Sequence, residues 1–344
     1  MKLIECVPNF SEGRNKKKIE RIANAIRSQT EVRLLHVDPG YDANRTVMTL
    51  VGPPESVLEA VFQGIRAAAE VIDMRKQTGA HPRIGATDVC PIIPYRNTTM
   101  EACIQWSHQL AKHVGDELGI PVYLYNRSAH SPNRENLATI RRGEYETFHE
   151  KMALPDWKPD YGPDRFNARS GATVIGARDF LVAFNINLAT DDVAIAQTIA
   201  SRLRESGVPK KDDQGHIIRD EQGHVIRIPG LLKACKAIGW TMKRLGCAQV
   251  STNLTDIAQT LPHQVYEACK RLAEQAGTRV TGSELIGMVP LSVLLRAGSF
   301  YLSGESEDEP TTIQAAITAM GLDAFSPFIP DQRILEYALK SRRS

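Results

Sequence analysis

The spacing of apolar positions changes along the chain, and each change marks an element. Residues 2–7 form a short apolar run stopped by Pro8-Asn9, which predicts a strand. Over Lys16–Arg27, Ile19, Ile22, Ala23 and Ile26 recur at helical spacing on one face. Residues 32–37 and 45–51 predict two strands of a hairpin, with a turn at Asp38-Pro39-Gly40-Tyr41-Asp42 between them. Pro53-Pro54 then opens a helix, where an early proline costs little. Leu58, Val61, Phe62, Ile65, Ala68, Ala69 and Ile72 give that helix one apolar stripe. Residues 88–93 predict the closing strand, so the order is βαββαβ.

The second half repeats that order. Residues 180–188 read as a strongly apolar strand. Asp191 is the expected N-cap of a helix carrying Ile195, Ile199, Ala200 and Leu203. Strand follows between 225 and 240 and again over 248–253. A helix over 263–275 turns Val265, Ala268, Cys269 and Leu272 inward, and residues 279–285 close the unit. Between the halves lie a helix over Met100–Leu118, a strand over 121–125, a polar stretch and a Gly-rich connector. The expected fold class is α+β: two ferredoxin-like (βαββαβ) subdomains with extra helices and strands. The expected boundaries are 1–178, 179–325 and a helical tail over 326–344, with helices over 311–320 and 331–339. One short repeat stands out: Gln214-Gly-His-Ile-Ile-Arg219 recurs as Gln222-Gly-His-Val-Ile-Arg227. A mobile flap or a metal-binding His pair would use it. No third ligand sits nearby, so short strands around Gly turns are expected.

Charge narrows the function classes. The 42 basic and 40 acidic side chains give +2, which excludes a strongly cationic protein that coats nucleic acid or anionic membrane. Only 6% of residues are aromatic, too few to favour an RNA-binding sheet. No nucleic-acid or membrane partner is expected. The cysteines Cys6, Cys90, Cys103, Cys235, Cys247 and Cys269 show no CxxC or other metal spacing, so reduced thiols and no metal are expected. The N-terminus lacks the apolar centre of a signal peptide. The apolar stretches near 180–189 and 285–295 are far short of a membrane span. A cytoplasmic chain is expected.

The richest segment for chemistry is Gly79-Ala-His81-Pro82-Arg83-Ile-Gly85-Ala-Thr87-Asp88. The proline biases His81 to extended backbone, and the glycines make close approaches. A histidine on such a loop can act as general acid or base, with Asp88 or a backbone carbonyl fixing its tautomer. A histidine that only hydrogen-bonds across the loop fits the same spacing. At the hairpin tip, turn chemistry explains Asp38, Pro39, Gly40 and Asn44. It does not require Arg45, whose guanidinium suits a carboxylate. Residues 160–172 combine close-approach glycines, Arg165 and Arg169 for anions, and Phe166 for a ring face. An interdomain linker has the same composition. Cys90 lies in an apolar strand and reads as core rather than nucleophile. GxGxxG after a strand, the P-loop, HExxH and GxSxG are all missing from the sequence.

Several longer strings carry a resemblance. They include Glu5-Cys-Val-Pro-Asn-Phe-Ser-Glu-Gly13, Asn44-Arg-Thr46, Gly79-Ala-His-Pro-Arg83, Asp88-Val-Cys-Pro91 and Pro121-Val-Tyr-Leu-Tyr125. Arg142-Gly-Glu-Tyr145, Gly171-Ala-Thr173, Gly176-Ala-Arg178, Phe184-Asn-Ile-Asn-Leu188 and Gln249-Val-Ser-Thr-Asn-Leu254 continue the series. Together they resemble the formiminotransferase domain family of histidine breakdown. The resemblance implies a homodimer that transfers a formimidoyl group from N-formimidoyl-L-glutamate to tetrahydrofolate as co-substrate; no metal is expected for this transfer, because the formimidoyl carbon is already electrophilic when its nitrogen is protonated. It places the catalytic histidine on His81 and the folate-binding segment on Gly162-Pro163-Asp164-Arg165-Phe166-Asn167-Ala168-Arg169-Ser170-Gly171. Asp38 falls near the reacting groups, to orient or polarise the histidine or the substrate nitrogen. Arg45 falls near them too; Arg45 or Arg83 is expected to hold the glutamate carboxylates, and Asn44 is expected to bind substrate beside them. Two other activities share these features: formyl transfer from N-formylglutamate, and a non-catalytic folate- or RNA-binding module. The polar segment 208–229 is longer than the family's usual connection.

Overall fold

A computed structural model describes residues 1–303 and 308–341, so 342–344 of the expected tail lie outside the described residues. The chain divides into two compact units, Met1–Asp179 and Phe180–Ser344. No helix among the described residues is long and apolar enough to cross a membrane.

The first unit runs β1 (Leu3–Cys6), β2 (Asn9–Phe10), α1 (Lys16–Arg27), β3 (Arg33–Gly40), β4 (Arg45–Gly52), α2 (Pro54–Val71), β5 (Thr87–Arg96), α3 (Met100–Leu118) and β6 (Val122–Leu124). Short helices α4 (Pro132–Glu135), α5 (Leu137–Arg141) and α6 (Glu144–Met152) precede β7 (Thr173–Ala177). Strands β3, β4, β1 and β5 lie side by side and antiparallel, which is the split order of a βαββαβ unit. Strand β7 joins β5 in parallel and β6 joins β7. Every residue of these two strands is buried, as parallel strands require.

Helix α1 starts where Asn15 accepts hydrogen bonds from the N–H groups of Lys17 and Lys18. Its buried face is Ile19, Ile22, Ala23 and Ile26. These side chains join Phe62, Ile65, Met48, Leu50 and Ile92 in one core. Each of the larger of these side chains contributes about 1.5–3 kcal/mol by leaving water. Strand β3 runs further than its apolar residues suggest. Asp38, Pro39 and Gly40 pair with Val47, Thr46 and Arg45 instead of turning. Among the described residues β3 pairs within this sheet with β4 alone, and at such an edge the missing N–H of Pro39 breaks no ladder of the sheet.

The second unit runs β8 (Val182–Leu188), α7 (Val193–Leu203), β9 (Val208–Pro209), β10 (Arg227–Ile228), β11 (Cys235–Met242), β12 (Cys247–Leu254), α8 (Pro262–Gln275) and β13 (Val280–Ile286). Helices α9 (Leu291–Tyr301), α10 (Glu309–Met320), α11 (Pro330–Arg333) and α12 (Leu335–Lys340) follow. The sheet order β11-β12-β8-β13 is again antiparallel and split. Three local expectations need correction. Asp192, not Asp191, caps α7, because its carboxylate accepts from the Ala194 N–H. The expected helix over 331–339 is two pieces broken at Ile334, whose backbone is extended. Residues 227–228 pair with β9 in a ladder of their own, apart from the sheet strand β11.

The eight-residue repeat forms two like turns. Asp212 accepts from the N–H groups of Gln214 and His216, and Asp220 does the same for Gln222 and His224. Gly215 and Gly223 take positive φ in them. Among the described residues no group of three or more His, Cys, Asp or Glu side chains is placed to hold a metal.

Candidate functional site

The loops at one end of the first unit's sheet bring the notable polar residues together. Arg45 is the first residue of β4, Asp88 the second of β5, and Gly40 the last of β3. The His81 loop lies over this end and is fastened to the hairpin tip. The Ala80 N–H donates to the Asp42 carbonyl at 3.0 Å. A Cβ on Gly79 would stand 2.2 Å from the Ala43 carbonyl oxygen, so only glycine fits there.

Asn44 sits in the left-handed region with φ 48° and ties three loops at once. Its Oδ1 accepts from the Gly13 N–H at 3.0 Å, and its Nδ2 donates to Gln77 Oε1 and to the Thr78 carbonyl. Glu12 lies beside this knot and accepts from the N–H groups of Asn15 and Arg14 and from Gln77 Nε2. Burial works against its charge, but those bonds and nearby Lys18 hold its carboxyl below the usual range.

Asp88 is fully buried and central. Arg45 and Arg141 both pair with its carboxylate, and Ile84 N–H donates to it at 3.0 Å. Arg45 also donates from Nε to Asn9 Oδ1 at 2.9 Å. Burial opposes the charge on Asp88, yet the two guanidinium groups hold its carboxyl well below the usual range. The same burial, with Arg141 adjacent, pushes Arg45 down to about 10.

His81 is half-buried. Its Nδ1 is 2.7 Å from the Pro82 carbonyl oxygen, which can only accept. Nδ1 therefore carries the proton, and Nε2 is the basic nitrogen. The backbone carbonyl, not Asp88, fixes this tautomer, and the Asp88 carboxylate is held by the two arginines. Burial, then the charges of Arg45 and Arg141, push His81 well below 6.5 despite Asp88. The ring is neutral at pH 7.

The other expected site residues are placed as follows. Asp38 pairs through its backbone with Val47, two ladder steps from Arg45. Arg83 has its fork on Glu144 and Glu146 and donates to the Gln77 carbonyl. With Thr78, Gly79 and Gly143 these groups line a polar cleft of about 420 Å³. Segment 162–171 reaches this region with its second half. Ser170 O accepts from the Ala86 N–H at 2.8 Å, and Gly171, at φ 67°, bridges to Gly85. Asn167 Oδ1 accepts from the N–H groups of Arg169 and Ser170. Arg169 donates to the carbonyls of Ala69 and Glu70. The first half lies elsewhere: Gly162 packs on Gly115 and Ile120, Pro163 follows it, and Asp164 pairs with Lys158.

Tyr145 joins the two loops. Its N–H donates to the Arg83 carbonyl at 2.9 Å, its hydroxyl donates to the Ala168 carbonyl, and its ring stands 5.4 Å from that of Phe166. Sequence reasoning singled out neither Arg141 nor Tyr145 individually. Cys90 is fully buried, with its sulfur 3.5 Å from that of Cys6.

This arrangement can hold a neutral histidine beside cationic groups and an aromatic pair, which suits proton transfer on an anionic, ring-bearing substrate pair. Known proteins are similar to the chain in sequence. It is 45% identical over 338 residues to rat formimidoyltransferase-cyclodeaminase, covering 97% of this chain and 59% of that protein. The chain thus spans little more than half the length of that relative. Glutamate formimidoyltransferase of Streptococcus pyogenes serotype M1 is 40% identical over 307 residues, covering 89% of this chain and 95% of its own. The Thermoplasma acidophilum glutamate formimidoyltransferase is 39% identical over 316 residues, with 91% and 97% covered. Residues 3–178 match the N-terminal subdomain of the formiminotransferase domain and residues 183–340 match the formiminotransferase domain. The chain belongs to the formiminotransferase domain family.

Proposed function

We propose that the chain transfers the formimidoyl group of N-formimidoyl-L-glutamate to N5 of tetrahydrofolate and releases L-glutamate. The observation that carries this reading is the state of His81, a neutral imidazole with Nδ1–H fixed on the Pro82 carbonyl. In that state Nε2 takes the proton shed by N5 as the new carbon–nitrogen bond forms. It returns a proton to the departing glutamate nitrogen as the old bond breaks. A placed base of this kind contributes about 10²–10⁴-fold. The rest of the acceleration comes from holding two substrates together. His81→Ala is expected to lower turnover by at least about 10²-fold with tetrahydrofolate affinity kept.

The half-buried Phe166–Tyr145 pair offers a ring face for the pteridine, and exposed Arg165 offers a charge for the folate carboxylates. In this reading Asp38 orients the donor nitrogen. Asn44 acts through the loops it ties, and Arg83 fixes the His81 loop through Glu144 and Glu146. The family resemblance supports a homodimer working in the cytoplasm, without nucleic acid, and sedimentation of the purified chain tests the dimer.

The experiment that tests the reaction mixes the chain and tetrahydrofolate with N-formimidoyl- or N-formyl-glutamate and counts released glutamate. Release from the formimidoyl donor supports the reading. Release from the formyl donor alone keeps His81 and changes the reaction. No release from either refutes transfer.

A further inference from the structure

The basic side chains around the His81 loop differ in how they are held. The Arg83 fork is spent, with Nη1 at 2.9 Å from both Glu144 and Glu146 and Nη2 at 2.6 Å from Glu146. Arg45 and Arg141 instead share the single carboxylate of Asp88. Two guanidinium groups on one buried anion leave an excess positive charge of one. Asp88 is wholly enclosed, whereas the Arg141 side chain keeps 13% of its surface exposed. Arg141 uses Nη2 and Nε on Asp88, and among the described residues its Nη1 makes no hydrogen bond. Arg45 uses Nε and Nη1, and the same holds for its Nη2.

We infer that Arg141, together with Arg45, is the receptor for a carboxylate of the glutamate-type donor. The inference rests on the donor reading above and assigns the specificity of that site. A carboxylate there balances the excess charge, in surroundings where charge interactions are stronger than in water. The guanidinium fork matches its two oxygens. Asp88 acts as the post that holds both guanidinium groups in place.

The test uses the full chain without folate and needs no turnover. Calorimetry compares glutarate with glutaramide, its uncharged counterpart. The wild-type chain is expected to prefer glutarate. R141M is expected to weaken glutarate about 10- to 100-fold while leaving glutaramide unchanged. In assays the donor KM rises by the same factor and the tetrahydrofolate KM holds. R141K, which keeps the charge and loses the fork, falls between, and it decides the matter if R141M fails to fold. Equal binding of glutarate and glutaramide by wild type, or glutarate affinity within about twofold of wild type in the variants, overturns the inference. Arg141-dependent glutarate binding in a chain that transfers nothing refutes the reaction and keeps the receptor.

Discussion

Asp88→Ala is the sharpest probe of the site's foundation. The carboxylate takes Arg45 Nη1, Arg141 Nη2, Arg141 Nε at 3.3 Å and the Ile84 N–H at 3.0 Å. Its removal leaves Arg45, 8% exposed, as an unbalanced buried cation. Breaking a buried pair from one side costs about 3–5 kcal/mol. For a unit of 179 residues that is a fall of about 6–20 °C in the midpoint of thermal unfolding. The pH dependence has a definite sign. Asp88 is held below 3.8 in the folded state, so its contribution is complete above that value and fades as pH falls through the folded pKa. The gap between wild type and variant is therefore widest near neutrality and closes only in strong acid. Scanning calorimetry at several pH values checks both statements. A midpoint within about 2 °C of wild type at pH 7 would refute the view that this triad supports the unit.

Other expectations concern single positions. His81 titrates below 6.5, so the acid limb of kcat/KM is expected below pH 6.5, and His81→Gln removes it. The same shift means that stability declines as pH falls from 6.5 to the folded value, and denaturant titration should show this slope in wild type but not in His81→Gln. Gly85→Ala places a Cβ 2.0 Å from the Ala172 carbonyl oxygen, and a loss of more than about 2 kcal/mol is expected in urea unfolding. Asp192→Ala is expected to cost about 1 kcal/mol as a lost cap, against less than about 0.5 kcal/mol for Asp191→Ala.

Much of the fold was legible because local signals agreed with the tertiary outcome. Helix α1 runs over the expected Lys16–Arg27, because a cap at Asn15 precedes an unbroken apolar stripe. The sequence pattern ends strand β3 too early because Asp38-Pro39-Gly40 is turn chemistry by composition. An edge position tolerates it, and edge status is set by the sheet rather than the segment. The site was legible where one loop held the chemistry, as at His81. It was not legible where chemistry is pooled across distant segments. Arg45, Asp88 and Arg141 meet only through folding, and no local spacing marks Arg141 as their partner. Tyr145 ends the Arg142-Gly-Glu-Tyr145 string, but its hydroxyl contact to Ala168 is likewise a product of the fold.

The cysteines make the chain its own reporter of opening. All six are buried, with Cys6, Cys90 and Cys103 in the first unit and Cys235, Cys247 and Cys269 in the second. Burial raises the Cys6 thiol and pushes Cys103, Cys235 and Cys269 up to about 12, so at these four positions alkylating reagents meet almost no thiolate in the native state, and burial shields all six from the reagent. Adducts therefore accumulate only as a unit comes apart. Mass spectrometry of the chain, alkylated at rising denaturant, should step by three labels if one unit melts first and by six if both melt together.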